Sequence, residues 1–234
     1  MIQTPSRNVS KRKGLRLSVI AFNRYLEALY ETLYMTFAAT LFVAIAGLVL
    51  GVLLFSSAEE GLKPNKTLYA SLSVVTSIGR SIPFLILIVL LIPVTRVIIG
   101  SILGPSAALP ALIVGGTPFY ARLVELALFE KGHDLKEAGR AFGLTDVKIM
   151  TKVLIPESLP ALVRGITVTA IALAGYTSIA GAIGAGGLGN LAYLYGYSRN
   201  QPEVTWIATI LMVGLIIGIQ LFGDLVVKKL SHNK

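Results

Sequence analysis

The sequence predicts an all-α, polytopic membrane protein with about five transmembrane helices. Three observations predict this class. Mean hydropathy is +0.75, and 54% of residues are hydrophobic against 14% charged, a balance that excludes an ordinary soluble domain. Several stretches reach the roughly 20 apolar residues that a helix needs to cross the hydrocarbon core. Thr32–Ala58, Val97–Ala121, Gly165–Ser198 and Val204–Gly223 contain no Asp, Glu, Lys or Arg. Between the later spans lies a polar loop, about residues 130–164, that carries helical periodicity and ordered Gly and Pro punctuation.

Residues 1–30 read as a basic tail and an interfacial helix ahead of a transmembrane domain at 31–230. Met1–Arg16 is basic, and Leu17–Tyr30 contains Arg24 and Glu27, so it lacks the apolar core of a cleavable signal peptide. It fits an amphipathic helix at the membrane surface. The first span is Leu33–Phe55, where Gly47 and Gly51 have the four-residue spacing that lets helices approach closely in a membrane. Ser56–Lys66 is a polar turn.

The next apolar region, Thr67–Thr95, is interrupted only by Arg80. An Arg at the bilayer centre costs about 2.5–3.5 kcal/mol on insertion scales. That cost is avoided if Thr67–Gly79 lies in the cytoplasmic interface, Arg80 sits at headgroup level and the span is Ile82–Ile99. Pro83 then occupies the first turn, where its missing N–H matters little. The alternative places Arg80 on a membrane path or a subunit interface.

A third span lies within Ala107–Leu128, entered through Gly104-Pro105 and holding Pro110, Gly115-Gly116 and Pro118. Such breakers are tolerable where neighbouring helices or a watery cavity satisfy the freed backbone groups. Gly165–Ile183 is the fourth span, followed by Gly184–Asn200 and a fifth span at Val204–Gly223. Trp206 fits an interfacial belt, and Lys228-Lys229 anchors the end.

An odd number of spans puts the termini on opposite sides. Arg122, Lys131, Lys136, Arg140, Lys148, Lys152 and Arg164 share their side with Lys63, Lys66, Lys228, Lys229 and Lys234. The positive-inside rule makes that side, and the long loop, cytoplasmic. The basic tail, which this topology leaves outside, is the exception.

Within the loop, Asp134 fits an N-cap with Glu137 at the third helical position, the layout of a capping box. Leu135, Ala138, Ala141 and Phe142 form one apolar stripe. Gly143 suits a left-handed helix stop. Thr145 or Asp146 then caps a second short helix through Lys148, Ile149 and Lys152, which Pro156 ends. Two short helices meeting at a Gly make a knob with an apolar face and charged rim, suited to a groove on a partner protein.

Other functions are excluded or declined. There is no cysteine, and His133 and His232 offer no metal-ligand spacing. The net charge of +9 comes from residues flanking apolar spans, so the partner is membrane lipid and not nucleic acid. Gly184-Ala185-Gly186-Gly187-Leu188-Gly189 spells a dinucleotide fingerprint but follows a membrane span, not a strand, and reads as a closely packed or flexible break. No P-loop and no catalytic grouping occurs, so the chain is not expected to be an enzyme.

Glu137-Ala138-Gly139, Gly143 and Val153-Leu154-Ile155-Pro156 resemble the EAA motif of type I ABC-importer permeases, departing at Gly139, Val153 and Ile155. Gly139 in place of Ala should loosen the helix by up to about 1 kcal/mol. The resemblance extends over Glu31–Val227 to the methionine-importer permeases. Its further carriers are Glu31–Phe37, Arg80-Ser81-Ile82-Pro83-Phe84, Ile92-Pro93-Val94-Thr95-Arg96 and the Gly184–Gly189 segment with Tyr193, Tyr195, Gly196 and Tyr197.

The resemblance implies a multi-pass subunit in the cytoplasmic (inner) membrane of a prokaryote, with its N-terminus outside. It implies a homodimer, two ATP-binding-cassette ATPase subunits and an extracellular, often lipid-anchored, substrate-binding protein. ATP and Mg would be held by the ATPase, with no cofactor in this chain. Glu137, Ala138, Gly139, Ala141, Phe142, Gly143, Leu144 and Pro156 would couple to the ATPase. Tyr176, Ser178, Ile179 and Gly181 would form the gate, with Arg80 beside the path. Alternatives are a betaine or choline permease, a non-transporting scaffold, or a secondary transporter. The last needs intramembrane acidic residues or inverted repeats, neither of which is expected in the spans.

Overall fold

The structure, a computed structural model, describes the chain from Arg7 to His232, with side chains from Phe22 to Ser231 except His133. The first six residues of the expected basic tail, and the side chains through residue 21, lie outside the described residues. Helix α1 (Arg7–Ser57) is continuous, with no backbone break between the expected interfacial helix and first span. A tight turn leads to α2 (Lys66–Ser81), capped by the Asn65 side chain, which accepts from the Leu68 N–H at 3.0 Å. Next come α3 (Phe84–Leu90) and α4 (Ile92–Ile99).

Helix α5 (Pro105–Ala141) and α6 (Asp146–Lys148) form the polar hairpin. The chain continues through π-helical Ile149–Leu154 into α7 (Ile155–Ala180). It then turns through Gly181–Ala185, α8 (Gly187–Asn190) and π-helical Leu191–Tyr197 into α9 (Pro202–His232).

Among the described residues, Phe22–Ser57, Pro105–Gly132, Asp146–Ala185 and Pro202–Ser231 are long and apolar enough to cross a membrane. The pair α2–α3, bent by 102°, passes the same length and apolarity test only when taken together, and makes a fifth crossing if it is one broken span. The expected break at Arg80–Pro83 is therefore present, whereas Ile82–Ile99 is two short helices meeting at Leu91 instead of one span. Pro83 has no N–H to extend α2, and its extended conformation (φ −57°, ψ 135°) turns the chain into α3. Pro110 and Pro118 interrupt nothing; both lie inside α5. Their helix is braced on several sides, as where Gly116 meets Val43 and Leu173 and Gly115 meets Leu87.

The core is the crossing of α1 on α5. A Cβ on Gly47 would lie 2.8 Å from the Tyr120 ring, and one on Gly51 would lie 2.5 Å from Val124 and 2.6 Å from the Ala121 carbonyl. Small residues are what let two membrane helices meet at backbone distance. Met35, Ala39, Val43, Phe55, Leu112, Val124, Leu128 and Leu173 are fully buried around that line.

Backbone bonds sort the ends into two faces. The Gly104 N–H donates to the Gly184 carbonyl at 3.0 Å, so the start of α5 meets the end of the α7 run. At the opposite face, the Lys136 ammonium donates to the Glu60 carbonyl at 2.9 Å. The first face collects Gly187 and the Glu31–Thr32 turn of α1, which meet there through backbone-to-side-chain bonds.

Replacing Gly51 by Ala should lower the melting temperature of the detergent-purified protein, because overpacking a tight contact costs about 1–3 kcal/mol. Gly214, where an added Cβ meets nothing within 4 Å, is the matched control and should tolerate Ala. Equal melting curves for the two variants would refute the close-crossing account.

Candidate coupling and gate site

The polar hairpin is built from the ends of membrane helices. Asp134 does not cap a new helix; it lies well inside α5, which runs unbroken to Ala141. Gly132 packs against the Phe55 ring, where a Cβ would lie 3.0 Å away, and extending an existing helix avoids the cost of a new nucleus. Pro156 does not end the second segment either. It stands at the start of α7 after the π-helical turn, in which the Ile155 N–H donates to the Met150 carbonyl five residues back. The wider turn relieves the clash a proline ring makes with an α-helical carbonyl four residues earlier.

Gly143 does end α5. Its φ is +73°, the Gly143 N–H donates to Arg140 O at 2.9 Å, and the Leu144 N–H donates to Gly139 O at 3.0 Å. That pair of bonds is a Schellman motif. The departure at Gly139 now has a physical reason. Gly139 is buried, and a Cβ there would lie 2.8 Å from Ile149, itself fully buried. Glycine gives up some helix propensity and lets the two arms of the hairpin touch.

The hairpin presents a one-sided surface. Glu137, Ala138, Ala141 and Gly143 are exposed, Phe142 is 85% exposed and Val147 is 66% exposed. Leu144 is half-buried in the core behind them, and Pro156 is exposed. Two large apolar side chains at the tip of a polar hairpin form a surface that suits a protein groove.

The inner face of the hairpin is bound to the α1–α2 turn. Besides Lys136 on Glu60, Arg140 Nη2 donates to Leu62 O at 3.0 Å and lies 3.5 Å from Asp146 Oδ1. Neither link was readable from the loop's pattern.

The expected gate residues split between two cavities. Tyr176 stacks on Phe84 with centroids 4.6 Å apart and planes within 5°, and it lines a cavity of about 40 Å³ together with Arg80. Ser178 and Ile179 line a separate, largely apolar cleft of about 730 Å³, lined on its other sides by Tyr193, Tyr197 and Met212. Gly181 is buried beneath, where a Cβ would lie 2.6 Å from both Asn190 N and Gly186 O.

The Gly-rich segment below the cleft is a compact reversal, with φ of +108°, +83° and +76° at Gly184, Gly186 and Gly187. It is pinned to α1: Glu31 accepts from the Gly187 N–H at 2.6 Å, and Thr32 accepts from the Leu188 N–H at 2.9 Å.

One buried ionic group contradicts the expectation of acid-free spans. Glu125 is 1% exposed inside α5, 2.5 Å from Arg122 and 3.1 Å from the donating Tyr69 hydroxyl of α2. The signal available in the sequence was an Arg and a Glu three residues apart, on one helix face. With its charge paired and both oxygens engaged, Glu125 is a structural tie between α2 and α5.

These features define a class, a multi-pass membrane permease with an exposed polar hairpin on one face. The chain belongs to the family described as binding-protein-dependent transport system inner membrane component, whose model matches residues 47–232. It is 54% identical over 199 residues to the methionine import system permease protein MetP of Bacillus subtilis, spanning 85% of this chain and 90% of that one. It is 46% identical over 203 residues to the probable D-methionine transport system permease protein MetI of Pasteurella multocida, spanning 87% and 94%. Among solved structures, an inward-facing MetNI methionine ABC transporter chain matches at TM-score 0.86 and 45% identity, over 88% of this chain and 95% of that one. An amino acid ABC transporter matches at TM-score 0.74 and 20% identity, a likeness of fold alone.

No neighbour crowds a Cβ at Gly143, so substitution there tests backbone strain by itself. Gly143→Asn should be tolerated better than Gly143→Val, since Asn visits left-handed conformations and other L-residues pay roughly 1–2 kcal/mol. Limited proteolysis of the hairpin reads this out. Equal cleavage rates in both variants would count against the Schellman stop.

Proposed function

We propose that this chain is the membrane-spanning permease subunit of an ATP-driven importer for methionine. It works as a homodimer, each copy gripping one of two ATP-binding-cassette subunits, with an extracellular binding protein delivering the substrate. The observation that supports the coupling role most directly is the exposed tip of the hairpin, with Phe142 largely solvent-facing at a rigid Schellman turn. The substrate class is supported by the methionine permeases to which nearly the whole chain is similar.

In this reading each part has a task. Glu137 offers a charged anchor at the hairpin tip. Ala138, Ala141, Phe142 and Val147 supply apolar contact. ATP and Mg bind in the partner, and nucleotide-driven closure of the two ATPases brings the paired hairpins together. Helix α7 begins at the hairpin's second arm and ends at the Tyr176–Gly181 segment. A displacement at its first turn therefore arrives at the proposed gate along one continuous helix. Ser178 and Ile179, lining the apolar cleft, open or close the path as the two copies tilt, and hydrolysis reverses the movement.

Two measurements test this. Proteoliposomes holding the chain, its ATPase and its binding protein should take up labelled methionine only with ATP. Betaine uptake instead would keep the class and overturn the substrate. Phe142→Ala should leave thermal stability unchanged, since the ring is mostly exposed, yet weaken ATPase association by at least about tenfold, the effect of losing about 1.4 kcal/mol at an interface. Unchanged association would remove Phe142 from the contact.

A further inference from the structure

The outward and inward faces of the last turns of α5 do different things. Ala138, Ala141 and Phe142 point to solvent, whereas Lys136 and Arg140, one helical turn apart, reach the α1–α2 turn. They donate to the carbonyls of Glu60 and Leu62 at 2.9 and 3.0 Å. The two acceptors are neighbours on a stiff turn. Gly61 is buried with no room for a Cβ against the Phe55 carbonyl, and the Lys63 and Asn65 N–H groups donate to Ser56 and Ser57 carbonyls at 2.9 Å each. The same turn ends in Asn65, the N-cap of α2.

What α2 does next gives the staple its consequence. One turn in, Tyr69 is tied to buried Glu125. The far end of α2 bends by 102° into α3, whose first residue, Phe84, lies face to face with Tyr176. The hairpin, the α1–α2 turn and the elbow beside Tyr176 are thus joined by directional bonds and one short helix. Charge-assisted donors to fixed carbonyls are suited to carry such a load.

We propose that Arg140 and Lys136 are positioning residues for coupling: they lock the α1–α2 turn to the hairpin, so that α2 moves with it and carries the stroke to Phe84 and Tyr176. This route runs alongside α7 and rests on the importer reading above. Adjacency of elements does not by itself establish coupling; separation of hydrolysis from transport on breaking the staple does.

The test uses the complete reconstituted transporter, with ATP hydrolysis and methionine uptake measured in the same vesicles. Arg140→Met and Lys136→Met should assemble with the ATPase and hydrolyse ATP at the wild-type rate, while uptake per ATP falls about tenfold, the scale of a typical coupling energy. Arg140→Lys keeps a cationic donor and should recover most of the lost uptake. Loss of ATPase association in well-folded Arg140→Met would make Arg140 a docking contact and overturn the proposal, as would unchanged uptake per ATP.

A measurement on the unaltered complex guards against variants that do not fold. Amide exchange across residues 58–65 should change on adding a non-hydrolysable ATP analogue, in step with residues 137–144. A turn whose protection ignores nucleotide overturns the proposal. If wild-type vesicles show no ATP-driven uptake at all, the importer reading itself falls, and the two failures are told apart.

Discussion

The close approach of α1 and α5 at Gly47 and Gly51 is the contact on which the rest of the molecule depends. Without a hydrophobic driving force between helices in lipid, association rests on packing, and packing at backbone distance requires residues without side chains. Tyr120, Ala121 and Val124 fill the space those glycines leave open. The crossing aligns the ends of both helices, so Phe55 meets Phe129 edge-on at 5.0 Å and Gly132 at van der Waals range. That alignment places the Glu60 and Leu62 carbonyls within reach of Lys136 and Arg140. Two glycines in one span thereby decide where a hairpin some twenty ångströms along the next helix is held, a reach of roughly 1.5 Å per residue.

The places where helices fail to continue coincide with the hairpin and the candidate gate segment. Pro83 turns α2 into α3 beside Tyr176, Gly143 closes the hairpin, a π-helical turn precedes Pro156, and three left-handed glycines reverse the chain after Gly181. Each break leaves backbone groups without their helical partners. Three of the four are answered locally: by the Schellman bonds at Gly143, by the wider ladder at Ile155, and by Glu31 and Thr32 at Gly187 and Leu188. Pro110 and Pro118, packed inside α5 by its neighbours, break nothing. A proline in this fold reorients the chain only where no surrounding helix holds it straight.

The hairpin and the cleft share their two supporting helices. Helix α5 carries the first arm of the hairpin and α7 the second, and α7 ends where Ser178 and Ile179 face the apolar cleft. Hairpin and cleft are therefore joined through continuous helix, with no separate linker between them. Rigidity comes from the fully buried Ile149 and Leu154 at the base of the hairpin, and from Glu125, whose paired charge binds α2 to α5 inside the apolar layer. The broad cleft remains open between α7, the π-helical Leu191–Tyr197 segment and α9.

By itself the sequence determined the membrane class, four of the five expected spans and the Gly143 stop, because these follow from local properties: apolar run length, charge placement and the conformational freedom of one glycine. Gly47 and Gly51 were legible as a close-contact pair, though not their partner. The relation of hairpin to membrane was decided only in three dimensions. Asp134 and Pro156 have good local credentials as helix boundaries, yet packing of Gly132 on Phe55 and of Ile149 on Gly139 carries helix through both. The ties of Lys136 and Arg140 to backbone carbonyls left no trace in the pattern, since a carbonyl belongs to every residue and only the fold says which one a cation meets. The same holds for Glu125 and Tyr69, 56 residues apart. Local chemistry chooses the elements; which ones touch depends on shapes that no single segment contains.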